Sequence, residues 1–454
     1  MANFSVAGQR VVVVGAARSG LAAAHLLAKR GARVTLTDVK PQVEGAEALV
    51  AAGVDLELGG HGADTLARAD LVVLSPGVPS RQAAIDVARA RNIPVIGEVE
   101  LASRWLKGRI IAVTGTKGKS TTTTLIGRML AEGGMRAPVG GNIGLALSAQ
   151  VEDSTPDTLH VVEVSSFQLE GTGTFHPWVA VLLNFSRDHL DRHASVEEYA
   201  GAKARIFANQ EPGDWAVINA DDPQVLELAR GGRARRLFFG GATLDEGIAT
   251  TSTAIVRRSR GRDETLVPLS SVKLIGRHLL ADVAAAAGVA SIAGVAPAAM
   301  TRAVEGFTGL EHALEPAGEV RGIRFVNDSK ATNIEAARRA IESFDAGLVV
   351  ILGGRFKGGD FADLREPLAA RAAAVIAMGE ARGLVTGALE GAVAVREVDT
   401  FHDAVRAAYS AASAPGTVLL APACASFDMF RDYAERGRAF KAEVAALKKE
   451  IEGV

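Results

Sequence analysis

Short apolar runs, each closed by a glycine-, serine- or proline-rich break and followed by a stretch of helical spacing, recur along almost the whole chain. Runs of this kind, bounded by turn residues and alternating with helices, mark strands buried on both faces of a parallel sheet. The pattern predicts strands at Arg10–Val14, Arg33–Thr37, Asp70–Leu74 and Pro94–Ile96, then Ile110–Thr114, Leu159–Val164, Val179–Asn184 and Trp215–Asn219. A β-rich run extends to about residue 275, and a further series follows at Gly322–Val326, Gly347–Leu352, Ala374–Met378, Ala392–Arg396 and Thr417–Leu420. Helices are expected at Glu98–Leu106, from Ser120, at Val196–Asn209, at His278–Ala293 and at Pro297–Gly306, with Lys107-Gly108 a plausible junction. The expected fold class is α/β, in three modules, because 454 residues exceed one ordinary core.

Composition removes several classes of function. The formal net charge is −2, with no basic stripe or charged tail, so neither nucleic acid nor an anionic membrane is an expected partner. A single cysteine, Cys424, excludes an internal disulfide and fits a reducing cytoplasm. The start, MANFSVAGQR, has no charged leader followed by an apolar core. Val283–Met300 carries no charge, but it is rich in Ala and Gly and contains Pro297, which reads as two packed helices and not a membrane span.

The candidate chemistry sits where strands end. Gly115-Thr116-Lys117-Gly118-Lys119-Ser120-Thr121 lies between a strand and a helix. Such a loop turns backbone N–H groups toward phosphate oxygens, with the helix N-terminus adding positive potential. Lys119 would reach the β- and γ-phosphates and Ser120 would face Mg²⁺, although the pattern is shorter than a full phosphate loop. Glu163, at the end of an apolar strand, suits a hard cation, since an unpaired buried carboxylate is costly. His189 and His193 lack a third ligand at zinc spacing; His189 remains a candidate Mg²⁺ or substrate contact. Lys203 reads by itself as an ordinary helix cation. Gly15 to Gly20 resembles a dinucleotide loop, but Ala17 replaces its second glycine, which argues for a nucleotide diphosphate and against NAD. Asn327–Asn333, Gly353–Asp360 and Cys424–Asp428 gather Lys, Thr and Ser at strand ends, as a small dicarboxylate would require.

Taken in order, TGTKGKSTTT, GGNIG, EVSSFQLE, LNFSRDHLDRH, the Tyr199-to-Ile206 stretch, INADD, NDSKATN, LGGRFKGG, and LAPACASFD with the following RDYxxRGxxF resemble the Mur ligase family over the whole length. The resemblance implies three domains, 1–98 for a UDP-linked substrate, 99–309 for ATP and 310–454 for an incoming amino acid. It implies a monomer that uses ATP and Mg²⁺ to join D-glutamate to UDP-N-acetylmuramoyl-L-alanine through an acyl phosphate. It places Gly115, Thr116, Lys117, Gly118, Lys119, Ser120, Thr121, Asp282 and Asp328 at the nucleotide. It makes Lys119, His189, Lys203 and Lys330 catalytic, with Ser120, Glu163, His189 and Lys203 near metal. On this likeness Lys203 becomes an N-carbamate, so its amine must first lose a proton, which burial favours. Arg18, Ser19, Asp38, Ser75, Gly77, Asn142, Ser165 and Gln168 would meet the UDP-sugar; Thr332, Lys357, Ser426 and Phe427 would meet D-glutamate. Two positions depart from the family: Leu279 and Asp282 stand where asparagines are common, and Ala313 stands where many members have arginine, a cation Arg355 could replace. Ligases adding another amino acid, a folylpolyglutamate synthase-like ligase and a nucleotide-gated binding protein are the alternative readings.

Overall fold

The computed structural model describes residues 4–187, 192–274 and 279–453. By contact density the chain divides into two units, 1–272 with 280–306, and 273–279 with 307–454. The first unit holds two sheets. In one, β1 (Arg10–Val14), β2 (Arg33–Asp38), β3 (Asp55–Leu58), β4 (Leu71–Leu74) and β5 (Val95–Gly97) are all parallel, in the order β3-β2-β1-β4-β5. The order reverses between β1 and β4, so the loops after these two strands diverge and leave a crevice at the carboxyl edge.

The other sheet is built from β6 (Arg109–Thr114), β7 (Val139–Gly141), β8 (Leu159–Glu163), β9 (Val179–Leu182), β10 (Trp215–Asn219), β11 (Arg235–Gly240), β12 (Gly247–Thr250), β13 (Ala254–Ser259) and β14 (Arg262–Pro268). Its order is β14-β13-β12-β11-β10-β9-β6-β8-β7, parallel except for the β12–β13–β14 meander. β6 lies between β9 and β8, which places the ends of three buried strands side by side. Helix Leu279–Ile292 is buried from Asp282 to Ala290, and Pro297 opens the next helix at its first turn, where a missing N–H costs nothing. The uncharged span is therefore core, and no described helix is long and apolar enough to cross a membrane.

The second unit carries β15 (Glu315–Val320), β16 (Ile323–Asn327), β17 (Leu348–Gly353), β18 (Ala372–Met378), β19 (Val395–Glu397) and β20 (Gly416–Leu420), in the order β15-β16-β20-β17-β18-β19. The last strand inserts between β16 and β17, so the three polar loops that follow them share one edge.

The α/β class and its parallel strands agree with the sequence. Among the described residues three strands, β3, β7 and β15, escape the apolar pattern, and all are edges. β3 reads Asp-Leu-Glu-Leu, and β15 contains Pro316 and a register shift between Pro316 and Gly318. Two helices are shorter than their composition suggests. The first ends at Ser103, and Val196–Ala204 passes into a 3₁₀ turn at Arg205–Phe207. The glycines at 140 and 141 form the edge strand β7.

Candidate active site

β6 ends at Thr114, and helix Lys119–Glu132 starts one short loop later. Gly118 holds φ +79, and a Cβ there would come 2.1 Å from Asp282 Oδ1, so only glycine fits between loop and helix. The loop is braced from outside. Asn184 Oδ1 accepts from the N–H groups of Thr116 (3.1 Å) and Lys117 (2.9 Å), and its Nδ2 donates to Lys117 O at 3.1 Å. Thr116 Oγ1 lies 3.2 Å from Tyr199 OH and accepts from Ser186 N at 3.0 Å. Lys119 Nζ donates to the carbonyls of Gly115 (3.0 Å) and Thr116 (2.9 Å). Buried Lys203 donates to the same Gly115 carbonyl at 2.7 Å, with its Nζ 4.6 Å from the Tyr199 ring centre. Lys203, an ordinary helix cation by composition alone, thus reaches the floor of the phosphate loop.

Ser120 and Thr121 occupy the open first turn of that helix, where backbone N–H groups have no helical partner. Glu163 ends β8 on the strand beside β6 and is buried. Its Oε1 accepts from Asn142 Nδ2 at 2.7 Å, while Oε2 is buried without a partner among the described residues. An orphaned carboxylate oxygen next to the phosphate loop is what a hard cation would satisfy. Asp282 is buried under Gly118. Desolvation pushes its carboxyl up to about 8, against the opposing pull of Thr122 and Lys119. It is 4% exposed. His189 lies outside the described residues.

At the neighbouring switch point a crevice of about 150 Å³ is lined by Ala17, Arg18, Ser19, Ser75, Gly77 and Asn142. Five residues expected at the UDP-sugar therefore come together. Gly15, at φ +95, leaves room for Val78, whose Cγ2 would lie 2.5 Å from an added Cβ. Asp38 is placed otherwise: its carboxylate accepts from Ala16 N (2.6 Å) and Lys40 N (2.9 Å) and so shapes the first loop from behind. Burial would raise its titration point, but these donors outweigh burial and hold it below the usual carboxylate range. Ser165 and Gln168 form a capping box on helix Ser166–Glu170, a local role the sequence reading did not assign. Gln168 also lines a second cleft of about 250 Å³, beside Ser75, Arg81 and Phe167. Among the described residues Glu170, His193 and Glu198 approach as metal ligands do. Ser80 and Arg81 already engage those carboxylates at 3.0 and 2.6 Å, so the group is read as an ion-pair cluster.

In the second unit Lys357 Nζ donates to Thr332 Oγ1 at 3.2 Å, joining two residues expected at a carboxylate. Ser426 is buried and Phe427 is 61% exposed. Lys330 is exposed, its N–H bound to His312 O at 3.0 Å. Asp328 is buried, and desolvation raises its carboxyl to about 7 despite Leu314 N–H and Lys330. Arg355 pairs with Glu380 at 2.9 Å on the surface. The sequence reading placed Asn184 within LNFSRDHLDRH but gave it no role; the available signal was an amide directly after an apolar strand.

Residues 9–97 match the Mur ligase MurD-like N-terminal domain, 113–290 the Mur ligase middle domain and 314–424 the Mur ligase glutamate ligase domain. The UDP-N-acetylmuramoylalanine--D-glutamate ligase of Acidobacterium capsulatum is 44% identical over 445 residues, covering 97% of this chain and 96% of that one. The protein of the same name from Pelotomaculum thermopropionicum is 44% identical over 447 residues, covering 97% and 98%. Among solved structures, the UDP-N-acetylmuramate-alanine ligase MurC of Thermotoga maritima superposes with a TM-score of 0.62 at 19% identity, over 97% of this chain and all of that one. A pseudomurein peptide ligase type C from Methanothermus fervidus gives 0.59 at 17% over the same shares; these two likenesses speak to the fold. Matched from residue 9 to residue 424 and more than two-fifths identical to relatives over nearly its full length, the chain belongs to the Mur ligase family.

Proposed function

We propose that this protein is an ATP-dependent ligase that joins D-glutamate to the alanyl carboxylate of UDP-N-acetylmuramoyl-L-alanine, as a cytoplasmic step in building peptidoglycan precursors. The observation that carries this reading is identity of 41–44% over nearly the whole chain with relatives of that name. The functional division follows as 1–98 for the UDP-linked substrate, 99–309 for ATP and 310–454 for the amino acid.

The reaction has two displacements. A carboxylate oxygen attacks the γ-phosphorus, the bond to ADP breaks, and an acyl phosphate forms. The D-glutamate amine then attacks the acyl carbon, loses a proton and expels phosphate. Both partners in the first step are anions, so the site must cancel their repulsion. Lys119 exchanges its carbonyl partners for phosphate oxygens, helped by the open N–H groups at Ser120 and Thr121. Two unit charges about 4 Å apart interact by about 4 kcal/mol at an effective dielectric of 20, enough for roughly a thousandfold in rate. Glu163 and Ser120 are the residues that would hold Mg²⁺, with His189 and Lys203 as further candidates. When bound, the ion would screen the carboxylate from the γ-phosphate. Lys203 becomes an anionic oxygen ligand if its neutral amine adds CO₂ and releases a proton. Arg18, Ser19, Ser75, Gly77 and Asn142 receive the UDP-sugar, with Asp38, Ser165 and Gln168 shaping that crevice. Asp328 and Lys330 serve the nucleotide and the transferred phosphate. Thr332, Lys357, Ser426 and Phe427 hold D-glutamate.

Phosphate release measured with ATP, UDP-N-acetylmuramoyl-L-alanine and a panel of amino acids tests the reading. Release that requires both the UDP-substrate and D-glutamate supports it. Release indifferent to D-glutamate, or dependent on a different amino acid, overturns it.

A further inference from the structure

Arg436 is a guanidinium with 1% exposure, near the start of the last helix, Tyr433–Glu452. No carboxylate lies within ion-pair distance among the described residues; its partners are neutral oxygens. Nε donates to Ser329 Oγ at 2.9 Å, and Nη2 donates to Ser329 O (2.9 Å) and Cys424 O (3.1 Å). Ser329 in turn donates to Tyr433 O at 2.8 Å. Nη1 is buried without a partner and faces Gly354, where an added Cβ would lie 3.3 Å away. A buried cation held by neutral oxygens, with Asp428 acting on it only from beyond ion-pair distance, is expensive to keep.

Ser329 sits between Asp328 and Lys330 in the loop after β16. Cys424 sits two residues before Ser426 in the loop after β20, and Gly354 belongs to the loop after β17, which also carries Lys357. Two backbone links join the same loops: Ala423 N to Ala331 O at 2.9 Å, and the Arg355–Ala425 pair at 2.9 and 3.0 Å. These links fix the strand ends but leave the side chains beyond them to be aimed. A planar guanidinium whose Nε and Nη2 both hold Ser329 while the same Nη2 reaches Cys424 O fixes the spacing between the two loops, which an ammonium on a flexible stem does not.

We propose that Arg436 is a positioning residue that clamps the loops after β16 and β20 to one another and so sets the affinity for the incoming dicarboxylic amino acid. The inference rests on the proposed placement of D-glutamate at Thr332, Lys357 and Ser426. A carboxylate bound from two loops at once loses affinity when their spacing drifts by about 1 Å.

The experiment is steady-state phosphate release by the full chain, with D-glutamate and the UDP-substrate varied in turn, for the natural protein, Arg436→Lys and Ser329→Ala, each first checked for cooperative thermal unfolding. The expected result is a KM for D-glutamate at least tenfold higher in Arg436→Lys and about threefold higher in Ser329→Ala, with the KM for the UDP-substrate within twofold. A lost folded fraction would lower kcat and leave both KM values in place, and that outcome overturns the proposal. So does an unchanged KM for D-glutamate in Arg436→Lys or, should that variant not fold, in Ser329→Ala. Natural protein that releases phosphate without D-glutamate would instead refute the ligase reading before any variant is compared.

Discussion

On the proposed function, the phosphate loop of the first unit and the three-loop cluster of the second would each hold an anion at a sheet edge, and they are built by opposite means. The phosphate loop is one contiguous segment whose own backbone makes the cradle, and Asn184, Tyr199 and Lys203 brace it from neighbouring elements. The amino-acid cluster has no such segment. Its polar side chains come from strands separated by up to about a hundred residues, gathered by backbone bridges and by Arg436. A contiguous cradle tolerates change in its surroundings and fails when its own residues change. A gathered cluster depends on the groups that set its spacing.

The largest expected effect breaks the first half of that comparison at its centre. Lys119→Met should lower kcat for phosphate release by about a thousandfold, because the charge opposing carboxylate and γ-phosphate repulsion is lost. Glu163→Gln should raise the Mg²⁺ concentration for half-maximal rate at least tenfold. Without metal its melting temperature should equal or exceed that of the natural protein, since a neutral amide costs less than a carboxylate to bury without a partner. Unchanged Mg²⁺ dependence would place the ion elsewhere. Asn184→Ala, which strips three hydrogen bonds from the loop, should raise the KM for ATP roughly tenfold and leave that for D-glutamate alone. A comparable rise for D-glutamate would show that the two regions are not supported independently.

The smallest effect on rate concerns Asp282, and its signature lies in stability. Its folded carboxyl titrates near 8, above the ordinary 3.8 of an unfolded aspartate, so between these values the folded form holds a proton that the unfolded chain releases. Stability from this group is greatest below about pH 4 and declines as pH rises toward 8. Asp282→Asn, with no proton to lose, should therefore gain stability over the natural protein as pH rises from 4 to 8. The gain reaches the order of a few kcal/mol at the upper end, at about 1.4 kcal/mol per unit. Chemical unfolding at pH 5 and pH 8 measures it; a gap that narrows with pH would contradict the burial argument.

How far the sequence reveals each region follows from the same contrast. Gly115 to Thr121 is legible because one strand, one loop and one helix start suffice to build it, and the buried strands beside it announce themselves as apolar runs. Ser165 and Gln168 were recognised as chemically able groups, but not as each other's capping partners. Asp38 was legible as a residue of the first crevice but not as the acceptor that shapes its loop. Asn184 and Arg436 act across more than sixty and more than a hundred residues of chain, a coupling no local spacing records. β3 and β15 stayed hidden because they are largely exposed edge strands without a continuous apolar run, and β7 because it is three residues long and two of them are glycine.

The central claim is that a phosphoryl group passes through the substrate carboxylate. It is tested most directly by supplying UDP-N-acetylmuramoyl-L-alanine with both carboxylate oxygens as ¹⁸O, together with ATP, Mg²⁺ and D-glutamate, and weighing the released phosphate. The account predicts one ¹⁸O in each phosphate and the other in the new amide carbonyl. Phosphate free of ¹⁸O would mean that water took the phosphoryl group, and the account would be wrong.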